Sequence, residues 1–221
     1  ARALETVLRA RFPEWDVRAT NLFEILDPRD QFRRLSGMAP EDFYNHQLAM
    51  GWSVGLEQQL RVLQAAVRAG HAWLVRRLRA YWERTRPDMV VSLIPNFDRA
   101  LHDGLRAARP DVPFVTVMTD LADFPPHFWI EPDTSLIVIA GTAHALAQAR
   151  SAGVPSDRLR RVSGMIVRPD FYDPLPGNAL THADLGLDPN RPTGLVMFGG
   201  HGSMAMLKIA RQLADVQLIL I

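Results

Sequence analysis

The sequence contains no cysteine, which excludes both a disulfide framework and a thiolate metal site. No apolar run approaches the ~18 residues that span a membrane, and no stretch has the pattern of a signal peptide, so we do not expect secretion. The formal net charge is only +1, which argues against a strong overall field, and we expect no nucleic-acid partner. The histidines and carboxylates show no metal-ligand spacing, and we predict no metal.

The composition is that of a globular protein with a sizeable core. Of the 221 residues, 48% are hydrophobic and 22% are charged. This length is compatible with one large domain or two small ones.

Continuous apolar runs alternate with helical patterns along much of the chain, which is typical of strands buried in a parallel sheet. The predicted buried strands are Met89–Ile94, Val112–Met118 and Leu136–Ala140. The predicted helices between and after them are Asp98–Ala108 and Thr142–Ser151, the latter with Thr142 as a possible cap. Near the N-terminus, the alternating residues Trp15–Thr20 predict a short additional strand. The sequence therefore predicts an α/β fold.

A change in composition divides the chain. Residues 168–191 are rich in Pro, Gly, Asp and Asn, which indicates an interdomain linker with one short helix near Thr181–Leu185. We therefore predict a first domain over residues 1–167 and the beginning of a second over residues 192–221.

The second predicted domain opens with a glycine-rich turn between a strand and a helix. The turn residues are Gly199, Gly200, His201, Gly202 and Ser203. Free backbone N–H groups at the start of the following helix would bind a phosphate, and glycine lets the backbone approach it closely. The alternative is a structural turn without a ligand.

Polar residues follow two of the predicted strands, at the edge where parallel sheets hold ligands. Asp120 follows the second strand, and Pro95 and Asn96 follow the first. Asp123, His127 and Trp129 extend the same loop as Asp120. Asp120 either lies in a substrate cleft or caps the next turn.

Arginine and tryptophan are concentrated in the helical region between residues 51 and 86. The arginines are Arg61, Arg68, Arg76, Arg77, Arg79, Arg84 and Arg86, accompanied by Trp52, Trp73 and Trp82. This composition fits either a solvated helix face or a surface that binds anionic lipid from the cytoplasmic side, at the inner face of a membrane.

Four short motifs occur in the order seen in diacylglycerol glycosyltransferases, which include monogalactosyldiacylglycerol synthases and processive diacylglycerol glucosyltransferases. The motifs lie at Asp88–Ser92 with Pro95, at Thr116–Leu121, at Val162–Pro169 and at Phe198–Gly202. The third resembles the hinge between the two domains of that family. The resemblance covers most of the chain, from Arg2 to the end.

This resemblance implies a GT-B type fold, with a Rossmann-like N-terminal domain and the start of a second Rossmann-like domain. It implies a hexosyltransferase that uses a UDP-sugar as co-substrate, needs no cofactor and acts on diacylglycerol or a related lipid at a membrane surface. The Gly199–Ser203 turn would then bind the donor diphosphate. Asp120 is the tentative catalytic residue, and the acceptor side would be lined by Pro95, Asn96, Thr119, His127 and Trp129.

The resemblance also suggests that the chain is a fragment, because relatives carry a glycine-rich loop before the first helix and a longer donor domain. We expect the 221 residues alone to be inactive. Two other functions stay open. One is a degenerate module that binds nucleotides or anions, and the other is a GT-B transferase with another acceptor, such as a peptidoglycan lipid precursor.

Overall fold

The computed structural model describes residues 1–28, 34, 56–164, 167–174, 177, 180–197, 205–213 and 215–221. The chain divides into two compact units. The first contains most of the described residues up to Phe171, and the second contains Tyr172–Ile221.

The first unit begins with helices and continues as an alternation of strands and helices. Its helices are α1 (Arg2–Arg11), α2 (Leu22–Leu26), α3 (Leu56–Ala69), α4 (His71–Thr85), α5 (Asp98–Ala108) and α6 (Ala143–Ser151). Its strands are β1 (Val90–Ser92), β2 (Phe114–Val117), β3 (Ile137–Ala140) and β4 (Leu159–Arg161). Strands β1, β2 and β3 lie within apolar runs of the sequence, whereas β4 has the sequence Leu-Arg-Arg.

The four strands form one parallel sheet in the order β1-β2-β3-β4. Phe114 and Val138, on its two inner strands, are almost fully buried, as are Leu78 of α4 and Leu105 of α5. Burying side chains of this size contributes roughly 1.5–3 kcal/mol each to folding. The parallel pairing places the carboxyl ends of all four strands at one edge, which we call the carboxyl edge.

Helices α4 and α5 pack closely against each other, and Gly104 makes this possible. A Cβ atom at Gly104 would lie 2.7 Å from the Leu78 Cβ and 3.4 Å from the Arg79 backbone nitrogen. Gly104 is buried, and Leu78 is completely enclosed. The absence of a side chain therefore sets the distance between the two helices.

The described part of the second unit contains a strand, a helix and a parallel strand. These are β5 (Thr193–Val196), α7 (Ala205–Gln212) and β6 (Gln217–Leu220). Gln217 fixes the start of β6, because its Nε2 donates to the carbonyl oxygen of Asp188 at 2.8 Å and its Oε1 accepts from the Asp188 N–H at 2.7 Å.

The predicted α/β fold class, with a Rossmann-like parallel sheet and the start of a second such unit, is confirmed. The predicted helix at Asp98–Ala108 is confirmed, as is the Thr142 cap, whose hydroxyl accepts from the Ala145 N–H at 3.0 Å. The change of unit between Phe171 and Tyr172 falls inside the segment predicted as a linker. The predicted boundaries at residues 167 and 192 stay predictions.

Two local predictions were wrong. Residues 15–20 form no strand, since Trp15 stacks on Phe12 at 4.5 Å and the Val17 carbonyl accepts from Arg9 Nη2. Residues 182–186 form turns instead of a helix: the Leu185 N–H donates to the Thr181 carbonyl oxygen at 3.3 Å, but Gly186, with φ of +68°, ends the segment after one turn.

No helix among the described residues is long and apolar enough to cross a membrane.

Candidate functional site

The loops after β1 and β2 meet at the carboxyl edge, where they bring several predicted site residues together. The backbone N–H of Asn96, after β1, donates to the Phe128 carbonyl oxygen in the loop after β2 at 2.6 Å. Asn96 has φ of +68°, a conformation that asparagine tolerates better than most residues. Pro95 beside it is half-buried. The two loops are therefore joined through their main chains.

Trp129 is the anchor of the loop after β2. Its side chain is completely buried, and its indole Nε1 donates to Asp120 Oδ2 at 2.7 Å. Its backbone N–H donates to Asp123 Oδ1, also at 2.7 Å. Asp120 is exposed, as is Thr119 before it. The buried indole thus holds the Asp120 carboxylate in a fixed orientation at the surface, where it is accessible to a substrate.

Asp123 is a buried residue of the same loop, and its side chain hydrogen-bonds within the loop. Burial raises the pKa of its carboxyl group, and backbone N–H groups of residues 128–130 oppose this increase. The side-chain amide of Gln148, on α6, makes two bonds to the Asp123 main chain, at 2.8 and 3.0 Å. Thr142 adds a bond to the Leu121 carbonyl oxygen at 2.6 Å. Asp123 is therefore a structural residue of the site.

His127 is an exposed histidine of this loop. Its ring Nδ1 lies 3.4 Å from Glu131 Oε2, and its φ is +62°. Burial raises the pKa of the Glu131 carboxyl group, while the neighbouring His127 opposes that increase. Glu131 is therefore placed to orient the imidazole ring of His127.

Asp98 lies beneath the same edge, at the first position of α5, and is only 1% exposed. Its Oδ2 accepts from the Thr116 hydroxyl at 2.9 Å, and its Oδ1 has no partner among the described residues. Burial raises the pKa of the Asp98 carboxyl group to about 7, against the opposing effect of the Ser92 and Thr116 hydroxyls. The charges of Glu131 and Asp123 raise it further.

The predicted donor turn, Gly199–Ser203, lies outside the described residues. The elements that flank it are described: β5 ends at Val196 and α7 begins at Ala205. A strand thus precedes the predicted turn and a helix follows it, in the predicted order.

His102 belongs to a different part of the first unit. It is buried, with Nε2 at 2.8 Å from the Ser135 hydroxyl and Nδ1 at 3.1 Å from Asp103 Oδ1. Burial lowers the pKa of His102, against the opposing effect of Asp103. Ser135 precedes β3, so this cluster lies at the opposite edge from Asp120. Within the described ranges, no group of three or more His, Asp or Glu residues is arranged to hold a metal ion.

Comparison with characterised proteins identifies relatives for most of the chain. Monogalactosyldiacylglycerol synthase 1, chloroplastic, of Arabidopsis thaliana is 30% identical over 159 residues, which cover 70% of this chain and 29% of that protein. A probable monogalactosyldiacylglycerol synthase 2 of Oryza sativa subsp. japonica is 30% identical over 134 residues, 60% of this chain and 28% of that protein. A probable synthase of Glycine max is 29% identical over 135 residues, 59% of this chain and 24% of that protein.

The chain is related to these glycosyltransferases. It matches less than a third of the length of each of the three synthases. No protein-family model matches it.

Several residues of the site at the carboxyl edge were not predicted from the sequence. They are Asp98, Glu131 and Gln64, whose amide contacts both loops. Glu131 follows His127 by four residues, a spacing that gives a weak signal of pairing. Asp98 was predicted only as the start of a helix, and nothing local distinguishes Gln64 from Gln58 or Gln59 on the same helix.

Proposed function

We propose that the protein is a hexosyltransferase that moves a sugar from a UDP-sugar to diacylglycerol or a related lipid. Its similarity to monogalactosyldiacylglycerol synthases supports the reaction class and the acceptor. The observation that carries the proposal is the exposed Asp120 carboxylate at the carboxyl edge, oriented by the buried Trp129 indole.

The reaction requires an acceptor for one proton and a site for one leaving group. The acceptor hydroxyl attacks the anomeric carbon of the sugar, the bond from that carbon to the diphosphate oxygen breaks, and UDP leaves. Asp120 accepts the hydroxyl proton, or fixes the hydroxyl while the His127 imidazole accepts it. A carboxylate suits this role because it forms strong charge-assisted hydrogen bonds with a hydroxyl group.

The donor diphosphate binds at the turn Gly199, Gly200, His201, Gly202 and Ser203. This assignment rests on the order of β5, predicted turn and α7, because the N-terminal end of an α-helix carries a partial positive charge that favours an anion. His201 and Ser203 would add side-chain donors.

The test is transfer of radiolabel from UDP-glucose or UDP-galactose to diacylglycerol vesicles by the full-length protein. Asp120→Asn is expected to lower kcat about 100-fold or more, since general base catalysis typically contributes at least that factor. Trp129→Phe keeps a buried ring but removes the indole donor to Asp120. It is expected to lower kcat about tenfold, the effect of losing a hydrogen bond to a charged group worth roughly 1.5 kcal/mol.

Asp133→Asn is the matched control, because Asp133 is exposed and lies in the same loop. It is expected to retain full activity. Wild-type activity in the Asp120→Asn variant would contradict the role of Asp120. Label transferred only to a peptidoglycan lipid precursor would change the acceptor, and UDP binding without transfer to any acceptor would favour a degenerate binding module.

We also propose that α3 and α4 contact an anionic membrane surface, which implies a cytoplasmic protein bound peripherally to the inner face of the membrane. The support is the exposure of the arginines together with apolar neighbours. Val62 is 69% exposed, and Trp73 is 42% exposed, with the Arg77 guanidinium 5.6 Å from the centre of its ring. Basic and aromatic side chains on a helix surface are typical of interfacial binding.

The Arg76→Gln, Arg77→Gln double variant is expected to bind anionic vesicles about 30-fold more weakly than the wild type. Each arginine near an anionic surface contributes ~1 kcal/mol, and two therefore contribute ~2 kcal/mol. Co-sedimentation with vesicles at increasing salt would measure this, and Arg150→Gln, on the exposed side of α6, serves as the control. Binding that is insensitive to salt and to both changes would show that these arginines only face solvent.

A further inference from the structure

One side-chain amide of α3 reaches both loops of the carboxyl edge. Gln64 Nε2 donates to the Asn96 side-chain oxygen at 3.3 Å and to the Pro126 carbonyl oxygen at 3.1 Å. Gln64 is only 8% exposed, although most of its neighbours on α3 face solvent. A glutamine amide has two N–H donors, so both contacts can be satisfied at once.

The two acceptors belong to different loops. Asn96 follows β1, and Pro126 belongs to the loop after β2 that also carries Asp120 and His127. The only other described hydrogen bond between these loops joins the Asn96 N–H to the Phe128 carbonyl oxygen. Gln64 therefore joins α3 to both loops through one side-chain amide, and we call this contact the junction.

This junction fixes backbone that is otherwise unfavourable. Asn96 and His127 both have positive φ, and they lie directly at or beside the two atoms that Gln64 holds. Conformations of this kind persist where surrounding contacts over-determine them. Loss of the amide would leave two acceptors at a partly buried contact without their protein donor, and the two loops would no longer be tied to α3.

The outer side of α3 has a different character. Val62 is 69% exposed and Leu63 is 42% exposed, and they lie two residues and one residue before Gln64. The same short stretch thus presents apolar groups outward and a hydrogen-bonding amide inward. A lipid bound at the outer side of α3 would therefore lie next to the helix that positions the loops after β1 and β2.

We propose that Gln64 is a positioning residue that sets the acceptor side of the site, by holding the loops after β1 and β2 at a fixed distance from α3. This inference rests on the proposed function, since the acceptor is taken to be a lipid. Gln64 does not touch the reacting atoms. It acts through Asn96 and Pro126.

The test compares Gln64→Met, which keeps the length of the side chain and removes both hydrogen bonds, with Gln59→Met, an exposed glutamine of the same helix. In the full-length protein, Gln64→Met is expected to raise KM for diacylglycerol about tenfold or more. KM for the UDP-sugar and the thermal midpoint should change little. Gln64→Glu should raise the acceptor KM further, because its carboxylate faces two acceptor oxygens. Gln59→Met should behave as the wild type.

A second measurement separates this inference from the proposed function. The protein is labelled with 5-fluorotryptophan, and the Trp129 resonance is identified by its absence in Trp129→Phe. Gln64→Met should shift this ¹⁹F resonance, whereas Gln59→Met should not. If the wild type transfers sugar to no lipid, the proposed function fails, yet the shift would still support positioning by Gln64. An unshifted resonance would overturn the inference. A raised KM for both the UDP-sugar and diacylglycerol, together with a lower thermal midpoint, would also overturn it.

Discussion

The Asp98→Asn variant is expected to be more stable than the wild type at pH 8 and to lose that advantage at pH 4. Burial raises the pKa of the Asp98 carboxyl group to about 7 in the folded protein, from its ordinary value of 3.8. The folded state therefore binds the proton more tightly than the unfolded state does. Stability from this group is fully present below pH 3.8 and is lost as pH rises through 7.

A shift of this size corresponds to about 4 kcal/mol at most, since one pKa unit is about 1.4 kcal/mol. Asparagine has the same shape, carries no charge and can still accept from the Thr116 hydroxyl, so it avoids the cost of ionising a buried group. Urea unfolding at pH 4, 6 and 8 would measure the difference, with the exposed Asp133→Asn as the control. A difference between variant and wild type that does not depend on pH would contradict this prediction.

Gly104→Val is expected to destabilise the first unit by about 3 kcal/mol or more, at the upper end of the range for overpacked cores. The Cβ atom alone would lie 2.7 Å from the Leu78 Cβ, and the two methyl groups of valine would force α4 and α5 apart. Valine is a better helix former than glycine, which would offset only a few tenths of a kcal/mol. Thermal unfolding followed by circular dichroism would measure the loss.

Ala107→Val is the control for this change, because Ala107 is exposed on the same helix and three residues away. It introduces the same β-branched side chain without the close contact. Equal destabilisation by the two substitutions would show that helix propensity, rather than packing against Leu78, determines the result.

Local patterns in the sequence predicted most of the first unit. The strands β1, β2 and β3 lie inside apolar runs, and Thr142 precedes its helix with a side chain that can cap it. Such features depend on residues close in the chain. The wrong strand at residues 15–20 shows the limit of this reasoning, since alternation indicates a half-buried segment but does not supply a partner strand.

The site was predictable only in part, because several of its contacts join residues that are far apart in the sequence. Residues that directly follow the buried strands were identified from position, and these include Asp120 and Asn96. Gln64 was not, because its role depends on contacts 32 and 62 residues away along the chain. The buried state of Asp98 likewise depends on Thr116, which comes from a neighbouring strand.

The hydrogen bonds of Trp129 fix the position of Asp120 and Asp123 in the loop after β2, whereas the side chain of Phe124 in the same loop faces solvent. Asp120, Asp123 and Trp129 hold one another through side chains, whereas Gln64 and Asn96 reach residues 124–128 only through the carbonyl oxygens of Pro126 and Phe128. Phe124 is 67% exposed, so its side chain can change without disturbing these bonds. Substitution of Phe124 would therefore change what the site recognises while the carboxylate of Asp120 keeps its orientation.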